Sequence, residues 1–224
     1  MQLPSGVTSI GGSTFSGCRE LTSINLDNVL SIGAIAFSGC ESLTGPLQIG
    51  GATIGDNAFN SCTALQGVTI GSSTAAGQVP MIGAGAFSGC ASLSAVNLPN
   101  SMVSIGDEAF FNCGQLTNIV LPSSLETIGI FAFNSTGLTS LTIPASVTSI
   151  GRGAFRGCAF EYVIMEGENP ADIGEAATDP DEWWIIFDAG VTIYVPSTAV
   201  AAYQAAWPVL ASRIKGVSEL TASN

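Results

Sequence analysis

The sequence predicts a repeat solenoid: a right-handed coil with a parallel β-sheet on one face, short helical or irregular turns on the other, and a helical cap at the C-terminus. Three observations carry that expectation. The pair Ile-Gly recurs at Ile10, Ile32, Ile54, Ile82, Ile105, Ile128 and Ile150. A Phe follows each Ile five residues later, at Phe15, Phe37, Phe59, Phe87, Phe110, Phe133 and Phe155. Three residues beyond each Phe stands Cys18, Cys40, Cys62, Cys90, Cys113, Thr136 or Cys158. Self-similarity at a fixed period of this length is the mark of a stacked-repeat architecture.

Each part of the unit has a physical reading. A Leu at Leu21, Leu43, Leu65, Leu93, Leu116 and Leu138, with Phe160 in the last copy, opens an apolar/polar alternation. Ending in Ile24-Asn25-Leu26 or Val96-Asn97-Leu98, that alternation predicts a short strand with one buried face. Pro99, Pro122 and Pro144 stand just past it, where a strand stops and the chain turns. The Gly after Ile fits a bend needing either a positive φ or a close backbone approach. Ala-Phe-x-x-Cys predicts a compact helical or 3-10 turn that drops Phe into the core. One unit alone leaves both of its faces open. Stacking closes them, links the strands into one continuous sheet and aligns the phenylalanines in a ladder.

The pattern Leu-x-x-Ile-x-Leu-Pro-x-x-x-x-x-Ile-Gly-x-x-Ala-Phe-x-x-Cys, cleanest from Leu93 through Cys113, resembles the BspA-like leucine-rich-repeat family of bacterial cell-surface proteins. The resemblance covers residues 3–165, and Ile193-Tyr194-Val195-Pro196 followed by Ala201-Ala202-Tyr203 looks like that family's ending. It implies a leucine-rich-repeat scaffold in a secreted or surface-anchored bacterial protein that binds host matrix proteins or other cells. The expected organisation is seven repeats over 1–165, a degenerate eighth over 166–196, and a capping helix and tail over 197–224. The first repeat is expected to be truncated, with its N-terminal cap missing. Leu3-Pro4 falls mid-repeat, and Met1–Ser5 carries neither a basic nor an apolar segment of an export signal. Upstream coils and any export signal are therefore expected outside this chain.

Three segments depart from the pattern. Ile54 to Ile82 spans 28 residues, so 71–80 (GSSTAAGQVP) holds extra residues, read as a tolerated surface insertion or a contact loop. A second insertion follows Ile173-Gly174, and nine of the seventeen acids lie between Glu161 and Asp188. Within it, Asp179, Asp181 and Glu182 suit the oxygen preference of Ca²⁺ but lack EF-hand spacing. Trp183 and Trp184 are read as cover for the last coil, or as a sugar-stacking platform. The strand Val191–Val195 then resumes the pattern. In the tail, Ser197 or Thr198 is expected to cap a helix to about Trp207, with Val200, Tyr203 and Trp207 on one stripe. Pro208 stops or kinks it, and Val209–Ile214 extends the cover. A membrane or partner helix is the alternative for this segment.

Composition narrows the chemistry. Of 224 residues, 46% are hydrophobic and 10% charged, and five basic against seventeen acidic residues give a net charge of −12. Nucleic-acid binding needs clustered cations, so this balance argues against it, and anionic membranes repel the chain. The longest bulky apolar run, Trp183–Phe187, is far short of the roughly 20 residues of a spanning helix. With no His there is no usual general base beside a Ser or Cys, and no His or Cys-x-x-Cys pair for zinc. The chain is read as non-enzymatic, with no cofactor and no membrane insertion. The six Cys share one inward register. Neighbouring Cα atoms then fall within disulfide range, but parallel Cβ vectors disfavour bonding, so reduced structural thiols are expected.

Binding is then assigned to the outward strand positions. One row reads Asn25, Gln48, Thr69, Asn97, Val120, Thr142 and Ile164; its neighbour reads Thr22, Thr44, Gln66, Ser94, Thr117, Thr139 and Glu161. The candidate binding residues are Asn25, Gln48, Thr69, Asn97, Asn118, Thr142, Tyr162, Trp183 and Trp184. The bland reading is that Thr and Asn merely keep an exposed sheet soluble. The expected partner of this monomer is a protein or glycan on a host or neighbouring cell surface. A carbohydrate-binding module and a purely structural spacer are the alternatives.

Overall fold

In the computed structural model, residues 1–51, 53–72, 80–174 and 186–220 are described. They wind into coils stacked in register. Ser9–Ile10, Ser31–Ile32, Thr53–Ile54, Met81–Ile82, Ser104–Ile105, Thr127–Ile128 and Ser149–Ile150 are two-residue strands, each parallel to the next, in one seven-stranded sheet. Every Ile in this sheet is buried. The expected bend after Ile is thus the end of a strand, and the following Gly serves close approach rather than a positive φ. A Cβ on Gly33, Gly55, Gly106, Gly129 or Gly151 would lie 2.4–2.7 Å from the backbone of the preceding coil.

The Phe turn departs from expectation too. Ala-Phe-x-x-Cys is neither α-helical nor 3-10 but a run of hydrogen-bonded turns. Cys40 N–H donates to the Phe37 carbonyl at 3.1 Å, while Ile35, Phe37 and Gly39 N–H donate to the next coil's Asp56, Ala58 and Asn60 carbonyls at 2.7–2.8 Å. Left-handed residues flank the Phe on both sides, as at Ile35 and Gly39 or Asn57 and Ser61. The turns therefore form a hydrogen-bonded ladder of their own along the stack.

Between these two ladders runs the core. Phe15, Phe37, Phe59, Phe87, Phe110, Phe133 and Phe155 stack with ring centroids 5.0–5.5 Å apart and planes within 13°. Phe187 adds an eighth rung at 5.4 Å from Phe155, which the insertion before it hides from a spacing argument. Cys40, Cys62, Cys90, Cys113 and Cys158 are buried and unbonded; Cys18, on the first coil, is exposed, contrary to the inward placement expected for all six. The thiols of Cys40, Cys62, Cys90 and Cys113 each donate to the preceding coil's Phe carbonyl at 3.1 Å.

The predicted strands exist, but they do not make one continuous sheet. Leu47–Ile49, Gly67–Ile70 and Ala95–Asn97 pair in parallel; Ser140–Ile143, Tyr162–Met165, Thr192–Val195 and Ile214–Gly216 form a second parallel set. Leu116–Leu121, between them, joins neither. Two sequence features account for much of this. Gly50 and Gly71 donate their N–H to Leu26 and Ile49 carbonyls at 3.0 and 2.8 Å, closing the strand ends. Pro99, Pro122 and Pro144 replace those donors in the next three coils and have no N–H to give. Moreover, Thr136-Gly137-Leu138 is one residue shorter than Cys113-Gly114-Gln115-Leu116, which offsets the turn entering the following strand.

The C-terminal segment covers the last coil. Its helix spans Val200–Ala206, followed by a 3-10 turn over Pro208–Arg213 and a short helix at Val217–Leu220. Neither expected cap residue caps the first helix: Ala199 occupies that position, Thr198 Oγ1 donates to Glu168, and Ser197 Oγ pairs with Ser218 Oγ. Tyr203 and Trp207 are fully buried, and each ties its polar tip to the last coil. Tyr203 OH donates to Gly167 O and Trp207 Nε1 to Ala171 O, both at 3.0 Å.

Candidate binding face

The outward positions of the split strand face are where function-bearing side chains were expected. Alternation delivers them there: in Asn118-Ile119-Val120-Leu121 the two Leu/Ile side chains are buried while Asn118 and Val120 face solvent. Gln48, Asn97 and Thr142 are also exposed, and Thr69 and Tyr162 are half-buried. Asn25 is half-buried, and its Oδ1 accepts the Leu3 N–H, which ties it to the first coil. Asn97 Nδ2 donates to Thr69 Oγ1 at 3.1 Å, so those two residues also satisfy one another. Trp183 and Trp184, with Asp179, Asp181 and Glu182, lie outside the described residues, as does most of the 71–80 insertion.

What the face presents is uneven along the stack. On its earlier coils it offers Gln48, exposed, and Thr69, half-buried. Its C-terminal half holds two depressions that share Asn118, Ile119 and Val120. The larger, about 350 Å³, has Asn118 and Val120 on one side, Tyr162, Ile164 and Glu166 on the other, and Ser140 and Thr142 between. The smaller, about 300 Å³, lies toward Ser94, Ala95 and Asn97. Val120 rises between them with 76% of its surface exposed, the most exposed large apolar residue among those described. Tyr162 stands edge-on to Tyr194, with ring centroids 5.9 Å apart.

Asn118, Thr142 and Tyr162 are therefore brought together by the fold, while Gln48 and Thr69 sit apart on earlier coils. Ser140, Glu166 and Tyr194 were not singled out from sequence. Tyr194 was within reach by extending the first row, since Ile164 is in register with it, whereas Ser140 belongs to neither row and is in register with Tyr162. The pairing of Val120 and Ile164 across a dip at Thr142 was also in plain view in the row itself.

Among the described residues no cluster of His, Cys, Asp and Glu could hold a metal ion, and no helix is long and apolar enough to cross a membrane. Burial, with the Cys40 thiol adding to it, pushes Cys62 up to about 12, and burial does the same for Cys113. Among the described residues the depressions are lined by amide, hydroxyl and apolar groups, with Glu166 the one charged residue of the larger.

Comparison with known proteins places these features in context. The profile of the family described as the BspA type leucine rich repeat region matches residues 1–78 and 52–177, in six copies. A leucine-rich repeat protein from Bacteroides ovatus ATCC 8483 is 29% identical over 87% of this chain and 54% of its own, with a TM-score of 0.61. A leucine rich cell surface protein from Faecalibacterium prausnitzii A2-165 is 26% identical over 89% of this chain and 64% of its own, with a TM-score of 0.53. A third, from Eubacterium ventriosum ATCC 27560, is 25% identical over 70% of this chain and 42% of its own, with a TM-score of 0.57. The chain thus spans 42–64% of the length of these structures. No curated protein matches it.

Proposed function

This chain belongs to the BspA-type leucine-rich-repeat family, and on that premise we propose that it is a non-catalytic binding scaffold of a bacterial cell surface, presenting its outward strand face to a protein partner. The observation that carries this reading is the pair of depressions around Val120. An exposed apolar ridge flanked by amide and hydroxyl groups is what a protein contact needs at its centre, and scattered polar positions around it form the rim. Rigidity supports the same reading, because ladders on two sides hold the display and little entropy is lost on binding. A cell-surface setting is supported by the similarity to the Faecalibacterium cell surface protein. A sequence without His, and the Cys62 and Cys113 thiols pushed up to about 12 by burial, support a role without chemistry.

The experiment is an array of extracellular-matrix proteins and glycans probed with the full chain and with Val120→Glu. The reading expects binding to one or more proteins that weakens as salt rises well past about 0.15 M, because a −12 chain selects basic partners. It also expects that binding to be lost in Val120→Glu. Silence across the array is the outcome of a spacer. Glycan-only binding, lost in the double variant Trp183→Ala, Trp184→Ala, makes the chain a carbohydrate-binding module instead.

A further inference from the structure

Several polar side chains on the earlier coils of the outward face are already engaged by the protein itself. Asn97 Nδ2 donates to Thr69 Oγ1 at 3.1 Å, the Ser94 hydroxyl to Gln66 O at 3.2 Å and the Thr44 hydroxyl to Thr22 O at 3.3 Å. The larger depression differs. Asn118, Ser140, Thr142 and Glu166 are exposed at its wall, and among the described residues their side chains make no hydrogen bond or ion pair. An amide oxygen, two hydroxyl oxygens and a carboxylate are thus open acceptors around one hollow.

The hollow is apolar on two flanks. Thr142, in register with Ile164, forms its floor, with Val120, 76% exposed, on one side and half-buried Ile164 on the other. Glu166 N–H carries the ladder on to Ile143 O at 3.0 Å, which sets its side chain on the same side of the strand as Ile164. Two residues of extended chain place it about 6–7 Å farther along. At about 350 Å³ the space lies at the small end of ligand pockets, roughly 300–1,000 Å³, and suits one long side chain rather than a helix. Its charge is negative: the cation of this row, Lys215, stands two coils beyond Ile164 and lines neither depression. An arginine meets each of these features. Its methylenes lie against Val120 and Ile164, and its planar guanidinium reaches a carboxylate with two parallel N–H groups, leaving others for the hydroxyls. A lysine brings a compact, more strongly hydrated charge with three donors. A sugar would meet a single ring, Tyr162, already set edge-on to Tyr194 at 5.9 Å.

We infer that the hollow over Thr142 receives one arginine side chain of a protein partner, its methylenes between Val120 and Ile164 and its guanidinium on the Glu166 carboxylate. The side chain enters from solvent onto exposed groups, so the coils beneath stay stacked as they are. The inference rests on the binding-scaffold reading and names the partner chemistry for it.

The test uses the full ¹⁵N-labelled chain and the peptides acetyl-Gly-Ala-X-Ala-Gly-amide, with arginine, citrulline, lysine or glutamate at X, and chitohexaose besides. Citrulline keeps the shape of arginine and removes its charge. Saturable amide shifts at 118–120, 140–142 and 162–166 are expected with the arginine peptide. Binding should be about tenfold weaker with citrulline, several-fold weaker with lysine and absent with glutamate. Glu166→Gln should erase the advantage of arginine over citrulline, which a purely polar hollow would not show. Thr142→Phe, which fills the exposed floor, should abolish binding. The inference is overturned by shifts elsewhere or none at all, by citrulline, lysine or glutamate matching arginine, or by an arginine preference that survives Glu166→Gln. Binding that survives Thr142→Phe, or chitohexaose moving these amides when arginine does not, overturns it too. A silent arginine peptide alongside Val120-dependent protein binding on the array overturns this site and leaves the scaffold standing. A bound arginine peptide with a silent array does the reverse.

Discussion

At each buried cysteine a small side chain does two jobs. It fills the space beside the Phe ladder, and its thiol donates to a carbonyl one coil back. Thr136 fills the same place differently: its hydroxyl donates to Phe133 O of its own coil at 3.0 Å and lies 3.1 Å from Cys158 Sγ on the next. Exposure separates the six residues sharply. Native protein treated with iodoacetamide at pH 8 should gain one adduct, at Cys18, and denatured protein six; intact mass gives the count. Two or more adducts on the native fold would contradict the burial described. The same thiols set an alkaline limit. Burial lifts Cys40 to about 11 and Cys62 and Cys113 to about 12, above the ordinary 9.0. The folded chain then keeps protons that the unfolded chain releases, so stability falls as pH rises from 9 toward 12. Each thiol contributes at most about 1.4 kcal/mol per pH unit in that window. Thermal denaturation should show a lower Tm at pH 10 than at pH 8, and an unchanged Tm would mean the thiols titrate normally.

A single coil is held by contacts that only the next coil can supply, and the glycines test this most directly. A Cβ at Gly129 would lie 2.4 Å from Asp107 N and 2.5 Å from Gly106 C, whereas one at Gly114 meets nothing within 4 Å. Gly129→Ala must push two backbones apart and should cost more than about 2 kcal/mol, while Gly114→Ala should stay within about 0.5 kcal/mol. Urea denaturation of the two variants decides it, and equal losses would place the close approach elsewhere. This element also marks what was legible. The inward set of Ile, Phe, Cys and Leu could be read from spacing because each copy repeats one core environment. The role of the Gly could not be resolved, since a lone sequence does not say how near the neighbouring backbone lies. The sheet break was half visible, in three prolines and one shortened turn. Yet whether neighbouring coils pair depends on the separation of two backbones, which no residue type encodes. The hydrogen bond that Asn25 accepts was hidden for the same reason: its donor is a main-chain N–H 22 residues away.

Across the whole molecule, stability is a sum of neighbour terms, so each end matters out of proportion to its size. The C-terminal end is sealed twice. Ile214–Gly216 pairs with Thr192–Val195 in parallel, extending the sheet by a strand, and Tyr203 and Trp207 pack against each other at 5.0 Å while bonding to carbonyls of the coil beneath. Arg213 adds a third tie, its Nη1 donating to Asp188 O at 2.9 Å beside the last Phe rung. Removing Trp207 therefore opens the final coil to water and leaves Ala171 O without its donor. Trp207→Ala should cost about 3–5 kcal/mol where it acts. In a linear stack that loss is spent locally before it is felt globally. Hydrogen exchange should show Tyr162–Met165 and Thr192–Val195 losing protection by orders of magnitude while Ser31–Ile32 and Thr53–Ile54 keep theirs. If protection fell evenly along the chain, the coils would be one cooperative unit rather than a stack, and the display face could not be altered at one coil without disturbing the rest.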